Sequence, residues 1–205
     1  MKTITLFLLL AACQLSFAGG DTNIIAMSDW SKPVGTSLGQ TLRGRMILAQ
    51  GYSGGFRGPW PATEFYLELQ NVSEGSPTMT FYFDPAGLHC QMVDSNGKPP
   101  PPQGGGGSGG GAGACSITLP RDGTIRLRVG MYGYGRPPGD GLRLALDPPS
   151  QWWEILPGNT NDYFLSGTFS VAPHTNSVAR DFETERAIWS GTLDLPKMRV
   201  WVGKP

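Results

Sequence analysis

Only three cysteines and two histidines occur in 205 residues, and just 16% of the chain is Asp, Glu, Lys or Arg. No CxxC pair and no Cys/His cluster is present, so zinc has no recognisable ligand set and no cofactor is implied. The charge is balanced as well as sparse, with 16 basic against 16 acidic residues. That balance lacks the basic footprint nucleic acid demands and the polybasic patch of an electrostatic membrane binder. Long apolar runs are missing beyond the first residues, so no transmembrane segment is expected in the mature chain. Plentiful instead are glycine, at 30, and proline, at 18. The mix suits short strands joined by turns and is poor for helices.

The one long apolar run is Ile4 to Ala12, preceded by Lys2 and followed by Ser16-Phe17-Ala18. A positive start, an apolar stretch and small residues at the cut define a secretory signal, and the run falls short of the ~20 residues that cross a bilayer. Residues 1–18 are therefore expected to be removed, placing the protein in the periplasm or outside the cell. The remaining 187 residues, 19–205, suffice for one domain with a proper core. Leu10-Ala11-Ala12-Cys13 offers an alternative cut, in which Cys13 carries lipid and anchors the protein to the envelope; one chain alone anchors weakly. Either way Cys90 and Cys115 remain, and two cysteines in an oxidising compartment are expected to form a disulfide.

Period-two alternation runs through most of the chain. Phe65, Leu67 and Leu69 alternate with Tyr66, Glu68 and Gln70; Met79, Phe81 and Phe83 with Thr80, Tyr82 and Asp84. The same rule covers Leu88, Cys90 and Met92; Ile125, Leu127 and Val129; Leu142, Leu144 and Leu146; Tyr163, Leu165, Phe169 and Val171; and Met198, Val200 and Val202. One apolar and one polar face per segment is what a half-buried antiparallel strand requires. Roughly nine or ten such strands, punctuated by turns, predict an all-β single antiparallel sandwich. Only residues 176–187 read as a helical turn, or equally as a charged loop.

The last third carries a resemblance. A Pro157-Gly158 turn leads to Asp162-Tyr163 and a strand to Val171, then Trp189 to Leu193 and a final strand from Lys197 to Val202. This pattern resembles the closing strands of bacterial immunoglobulin-like domains, and implies an immunoglobulin-like sandwich. Antibody-type domains place a cysteine two residues after that tyrosine; here Leu165 stands there. The whole chain also resembles uncharacterised exported bacterial proteins, which imply no activity. Residues 98–114 (KPPPPQGGGGSGGGAGA) stand apart as a low-complexity excursion, stiff at its prolines and flexible at its glycines. A Cys90–Cys115 bridge would close it into a loop of about 25 residues, worth roughly 3–4 kcal/mol in the chain-entropy model.

Motif matches lead to turns rather than chemistry. Gly51-Tyr52-Ser53-Gly54-Gly55 fits GxSxG, but a nucleophile elbow needs a helix next, and Phe56-Arg57-Gly58-Pro59-Trp60-Pro61 follows. The polyglycine run contains GxGxxG and GxSxG by composition alone, with no helix to cradle a phosphate. Asp94-Ser95-Asn96-Gly97 spaces oxygens as calcium loops do but lacks the closing acid, so it reads as a hairpin turn. Asn71-Val72-Ser73 is a sequon that also reads as a turn. His89 and His174 have no neighbouring triad partners, and sixteen scattered acids allow a glycosidase pair without supporting one. What remains is aromatics in Gly/Pro-rich segments: Tyr52, Phe56 and Trp60; Tyr132 and Tyr134; Trp152 and Trp153. If they converge at loops they could contact a ligand; otherwise they roof the core. The expectation is a non-catalytic exported interaction module with a protein or glycan partner. The alternatives are a carbohydrate-binding module and, from another class, a small secreted hydrolase without recognisable motif.

Overall fold

The computed structural model describes residues 24–55, 58–100, 114–131, 141–146, 151–173 and 188–203. Residues 1–23 with Cys13, then Phe56, Tyr132, Tyr134, His174, the charged stretch 176–187 and most of the 98–114 excursion lie outside them. In chain order the first strands are β1 (Ile24–Met27), β2 (Val34–Gly35), β3 (Thr41–Gly55), β4 (Gly58–Asn71) and β5 (Thr78–Phe83). A 3₁₀ turn at Pro85–Gly87 leads to β6 (Leu88–Asp94), β7 (Cys115–Pro120), β8 (Thr124–Met131), β9 (Leu142–Leu146) and β10 (Gln151–Ile155). β11 (Tyr163–Val171), β12 (Ile188–Trp189) and β13 (Gly191–Trp201) complete the set, and no α-helix occurs among the described residues.

The protein is all-β, with antiparallel sheets packed as a sandwich. The largest sheet runs β1-β3-β4-β8, with β2 also on β3. A second runs β13-β11-β6, a third β12-β5-β7, and β9 with β10 forms a two-stranded ribbon. Among the described residues all pairings are antiparallel except the short β12–β5 contact. The alternating apolar residues meet in one core: Phe65, Leu67 and Leu69 from β4 join Phe81 and Phe83 from β5, Leu165 and Phe169 from β11, and Leu193 from β13. Each such side chain contributes about 1.5–3 kcal/mol on leaving water. The largest sheet packs closely on β13 at Gly44, where a Cβ would lie 3.1 Å from Leu193 Cδ1 and 3.3 Å from Leu195 Cδ2.

Local polar ties close the turns. Asp94 Oδ1 accepts the backbone N–H groups of Asn96 and Lys98, both at 2.8 Å, and Gly97 takes φ 80. The calcium-like spacing thus serves a turn. Asn71 is fully buried. Its Nδ2 donates to the carbonyls of Leu119 and Pro120, each at 3.1 Å, while its Oδ1 accepts from Ser73 N–H. The sequon is a clamp between the end of β4 and the turn after β7. At the C-terminal end the expected inward set of Met198, Val200 and Val202 is corrected: Trp201 is buried while Val202 is 39% exposed. β13 stops at Trp201, opposite Tyr163, and Gly203 N–H then bonds Asp162 Oδ1, turning the chain out of register.

The expected disulfide is corrected: no bridge joins Cys90 and Cys115. They sit in different sheets, Cys90 on β6 beside Gly167 of β11 and Cys115 on β7 opposite Phe83. Cys90 points into the core, its Sγ only 3.0 Å from where a Cβ on Gly167 would be. Burial pushes this thiol's pKa up to about 12.

Candidate functional site

Alternation that sends Phe65, Leu67 and Leu69 inward sends Glu64, Tyr66, Glu68 and Gln70 to the outer face of the largest sheet. Strand register then builds rows across β3, β4 and β8. Arg45 faces Glu68, which faces Arg126; one step along β4, Ile47 faces Tyr66, which faces Arg128. Glu68 has both carboxylate oxygens engaged, Oε2 by Arg45 Nε and Oε1 by Arg126 Nε and Nη2 at 3.2 and 3.0 Å. Its side chain is only 6% exposed, against 22% and 23% for the two arginines. Glu64 is shared in the same way, accepting from the Tyr66 hydroxyl and from Arg128 Nη1 at 3.3 Å. Burial first, then the bond to Glu64, pushes the Tyr66 phenol up to about 12.

The end of the face beyond Arg45 is organised by Trp30. After β1 the chain stays beside β3 through two serines. Ser28 N–H donates to Met46 O while its Oγ accepts Met46 N–H, both at 3.0 Å. Ser31 repeats the exchange with Gly44, at 2.8 and 3.0 Å. These pairs hold Asp29-Trp30 over the sheet, where the guanidinium carbons of Arg43 and Arg45 lie 4.7 and 4.3 Å from the indole centroid. Arg43 Nε and Nη2 both donate to Gln70 Oε1, at 2.8 and 2.6 Å. Among the described residues Arg43 has no carboxylate partner and is held by the neutral Gln70 oxygen. Such an arrangement presents planar donors in fixed orientation, stacked on an aromatic.

The aromatics singled out from the sequence are placed differently. Tyr52 and Trp60 lie on the paired strands β3 and β4, in register with Pro61 and Ser53, rather than in a loop. Ser53 therefore sits mid-strand, away from any strand-to-helix elbow. Trp152 and Trp153 belong to β10, opposite Ala145 and Leu144; both are half-buried, and Trp153 packs against the core. His89 faces outward from β6, and register sets Thr168 between it and Asp194 of β13. Among the described residues no hydrogen bond joins these three, and no group of three or more His, Cys, Asp or Glu gathers to hold a metal. Trp30, Arg43 and Arg45 were missed from the sequence; the available signal was a pair of Arg-x-Arg repeats, at 43–45 and 126–128, flanking the acidic outer positions of β4. Among the described residues no helix is long and apolar enough to cross a membrane.

Comparison with known proteins adds no relative: no family model, no curated protein and no solved structure matches the chain.

Proposed function

We propose that this chain is a non-catalytic, exported binding module acting in the cell envelope or outside the cell, with the outer face of the β3–β4–β8 sheet as its working surface. The observation that carries the reading is the stack of Arg43 and Arg45 over Trp30 beside the Arg45–Glu68–Arg126 bridge. Arg, Trp and Tyr dominate binding hot spots, and side chains already immobilised lose less entropy when a partner arrives. The two carboxylates act as struts for arginine rather than as an acid and a base, which favours binding over hydrolysis. The N-terminal run after Lys2 supports export. The closing strands support an immunoglobulin-like reading of the sandwich by their order: a Pro157-Gly158 turn, then Tyr163 at the start of β11, whose hydroxyl accepts from the Asn159 side chain at 3.3 Å where the tyrosine of those domains bonds backbone.

The test joins maturation to binding. Expressed with its own leader, the protein is expected in the exported fraction with Gly19 at its N-terminus, and to co-sediment with isolated envelopes. Trp30→Ala, which removes the stack, is expected to lower the retained fraction several-fold without changing the circular dichroism spectrum. Retention in the cytoplasm with Met1 intact, or equal sedimentation of the variant, refutes the proposal.

A further inference from the structure

An edge strand leaves a row of backbone donors and acceptors without a ladder, and proteins normally blunt such edges. β6, at one edge of its sheet, is closed amide by amide. The Leu88 N–H goes to Pro85 O, Cys90 N–H to Gln151 Oε1 at 3.1 Å, and Asp94 N–H to Lys98 O at 2.8 Å. On the largest sheet, β1 is short and its register shifts between Ile24 and Ala26, while β8 carries Arg126 and Arg128. β7 has none of these devices. Among the described residues it pairs only with β5, in unbroken register, and Cys115–Pro120 includes no charged residue.

One bond sets the direction of every amide on β7. Arg121 N–H donates to Pro77 O at 2.8 Å, and hydrogen-bonded pairs recur at every second residue of an antiparallel ladder. Leu119 with Met79 and Ile117 with Phe81 are therefore the bonded pairs. Ser116, Thr118 and Pro120 turn their backbone groups to the open edge. The Thr80–Thr118 hydroxyl contact at 2.9 Å agrees, since side chains approach more closely in the unbonded pairs. Pro120 agrees as well: it has no N–H to offer and stands where an edge tolerates proline. Its carbonyl is already taken by Gly123 N–H and Asn71 Nδ2. Left open are the N–H and C=O groups of Ser116 and Thr118. Both residues are exposed, and among the described residues neither amide has an acceptor.

We propose that β7 pairs with β7 of a second copy of this chain, antiparallel about a two-fold axis through Ile117. In that register Ser116 of each copy meets Thr118 of the other. Both open donors of one copy reach both open carbonyls of its partner, and no group is left over. The same patch on both copies is what a closed two-fold dimer requires. No like charges meet across the axis, because β7 has none. The open stretch is only two amides long, and self-pairing fills it without remainder, which favours a second copy over a longer foreign strand. One strand pair falls short of the about 1,200 Å² of a standard interface, so the dimer is weak and concentration-dependent.

The experiment is sedimentation equilibrium of the mature protein over a range of concentrations, joined to amide hydrogen exchange read residue by residue. A reversible monomer–dimer equilibrium is expected. Exchange at Ser116 and Thr118 should slow as concentration rises, while exchange at Arg121, already bonded to Pro77, should not change. Thr118→Pro removes a donor that β5 does not use, as Pro120 already does, and fills the edge with a ring. It is expected to weaken association by about tenfold or more while leaving the circular dichroism spectrum unchanged. Thr118→Val keeps the amide and is expected to dimerise like the native chain. Should Thr118→Pro fail to fold, the exchange measurement on the native protein decides.

A chain that stays monomeric throughout would overturn the proposal. So would a dimer in which exchange at Ser116 and Thr118 ignores concentration, assembly that continues past the dimer, or a folded Thr118→Pro chain that associates like the native one. The pairing stands or falls apart from the binding-module reading, which Trp30→Ala tests on the other sheet.

Discussion

Two outward faces of this sandwich are built by the same alternation and end up unlike. On the β3–β4–β8 sheet the outward residues are Arg, Glu, Gln and Tyr, joined in rows, with the ion-paired Arg and Glu side chains sunk to between 6% and 32% exposure. On the β5–β7 pair they are Thr80, Tyr82, Ser116 and Thr118, with Tyr82 44% exposed. A hydroxyl pair, Thr80 with Thr118, meets there at 2.9 Å. Short hydroxyls leave water in contact with the sheet. Long, paired side chains displace it and hold donors in fixed positions. Strand formation needs no more than the first arrangement, and the second is the feature that supports the proposed working surface.

The comparison is sharpest if neither sheet is braced covalently, and the thiol beneath β6 tests that with the largest expected effect. Burial raises the Cys90 pKa to about 12 in the folded chain, above its ordinary value in the unfolded one. Below that ordinary value, near pH 9, both states keep the proton and the stability is fully present. As pH rises from about 9 to 12 only the unfolded chain ionises, so stability is lost, by roughly 4 kcal/mol at the upper end for this group. Urea unfolding across that window should show the loss, and Cys90→Ala should flatten it. The Tyr66 phenol acts in the same direction between pH 10 and 12, so Tyr66→Phe is the companion variant. A Cys90–Cys115 bridge would abolish the thiol's share and make the melting temperature fall on adding dithiothreitol, contrary to this structure.

Glu68→Ala is the next largest. The carboxylate is almost fully enclosed and both its partners are retained, so two part-buried guanidiniums lose their counter-charge. Removing one member of a buried ionic set costs about 3–5 kcal/mol; with the arginines about one-fifth exposed, solvent screening brings the expectation to about 2–3 kcal/mol. Chemical denaturation reads it. A loss under 0.5 kcal/mol would mean that the row is an ordinary surface pairing and that the two faces do not differ in kind.

How far the sequence disclosed this is instructive at particular residues. Leu42, Phe65, Phe81, Leu165 and Leu193 face inward because alternation is a local property. The row Arg45–Glu68–Arg126 is not local: its members lie 23 and 58 positions apart, and only strand register brings them together. Trp30 escaped because it belongs to no alternating run; it depends on Ser28 and Ser31 substituting side-chain oxygens for strand carbonyls. The Tyr52–Trp60 stretch was expected to be a loop because of its glycines and prolines. It continues the β3–β4 pairing because, among the described residues, β4 there pairs only with β3. Pro59 and Pro61, two residues apart, can turn their missing donors to the unladdered side.

The smallest expected effect belongs to the hydroxyl face, and it is the control that gives the others meaning. Thr118→Val keeps the β-branch and the volume of the side chain, so strand preference and packing are nearly conserved. What is lost is one hydroxyl facing Thr80 at the surface. Water can take its place at an exposed position, so the change in stability should stay within about 0.5 kcal/mol, as for most surface substitutions. Envelope co-sedimentation should be unaltered, because Thr118 lies outside the arginine rows. Should Thr118→Val instead cost as much as Glu68→Ala, the hydroxyl pair would be as necessary to its sheet as the ionic row is to the other. The contrast between the faces would then report strand-to-strand cohesion alone, and the case for a working surface over Trp30 would rest on the binding measurements without support from stability.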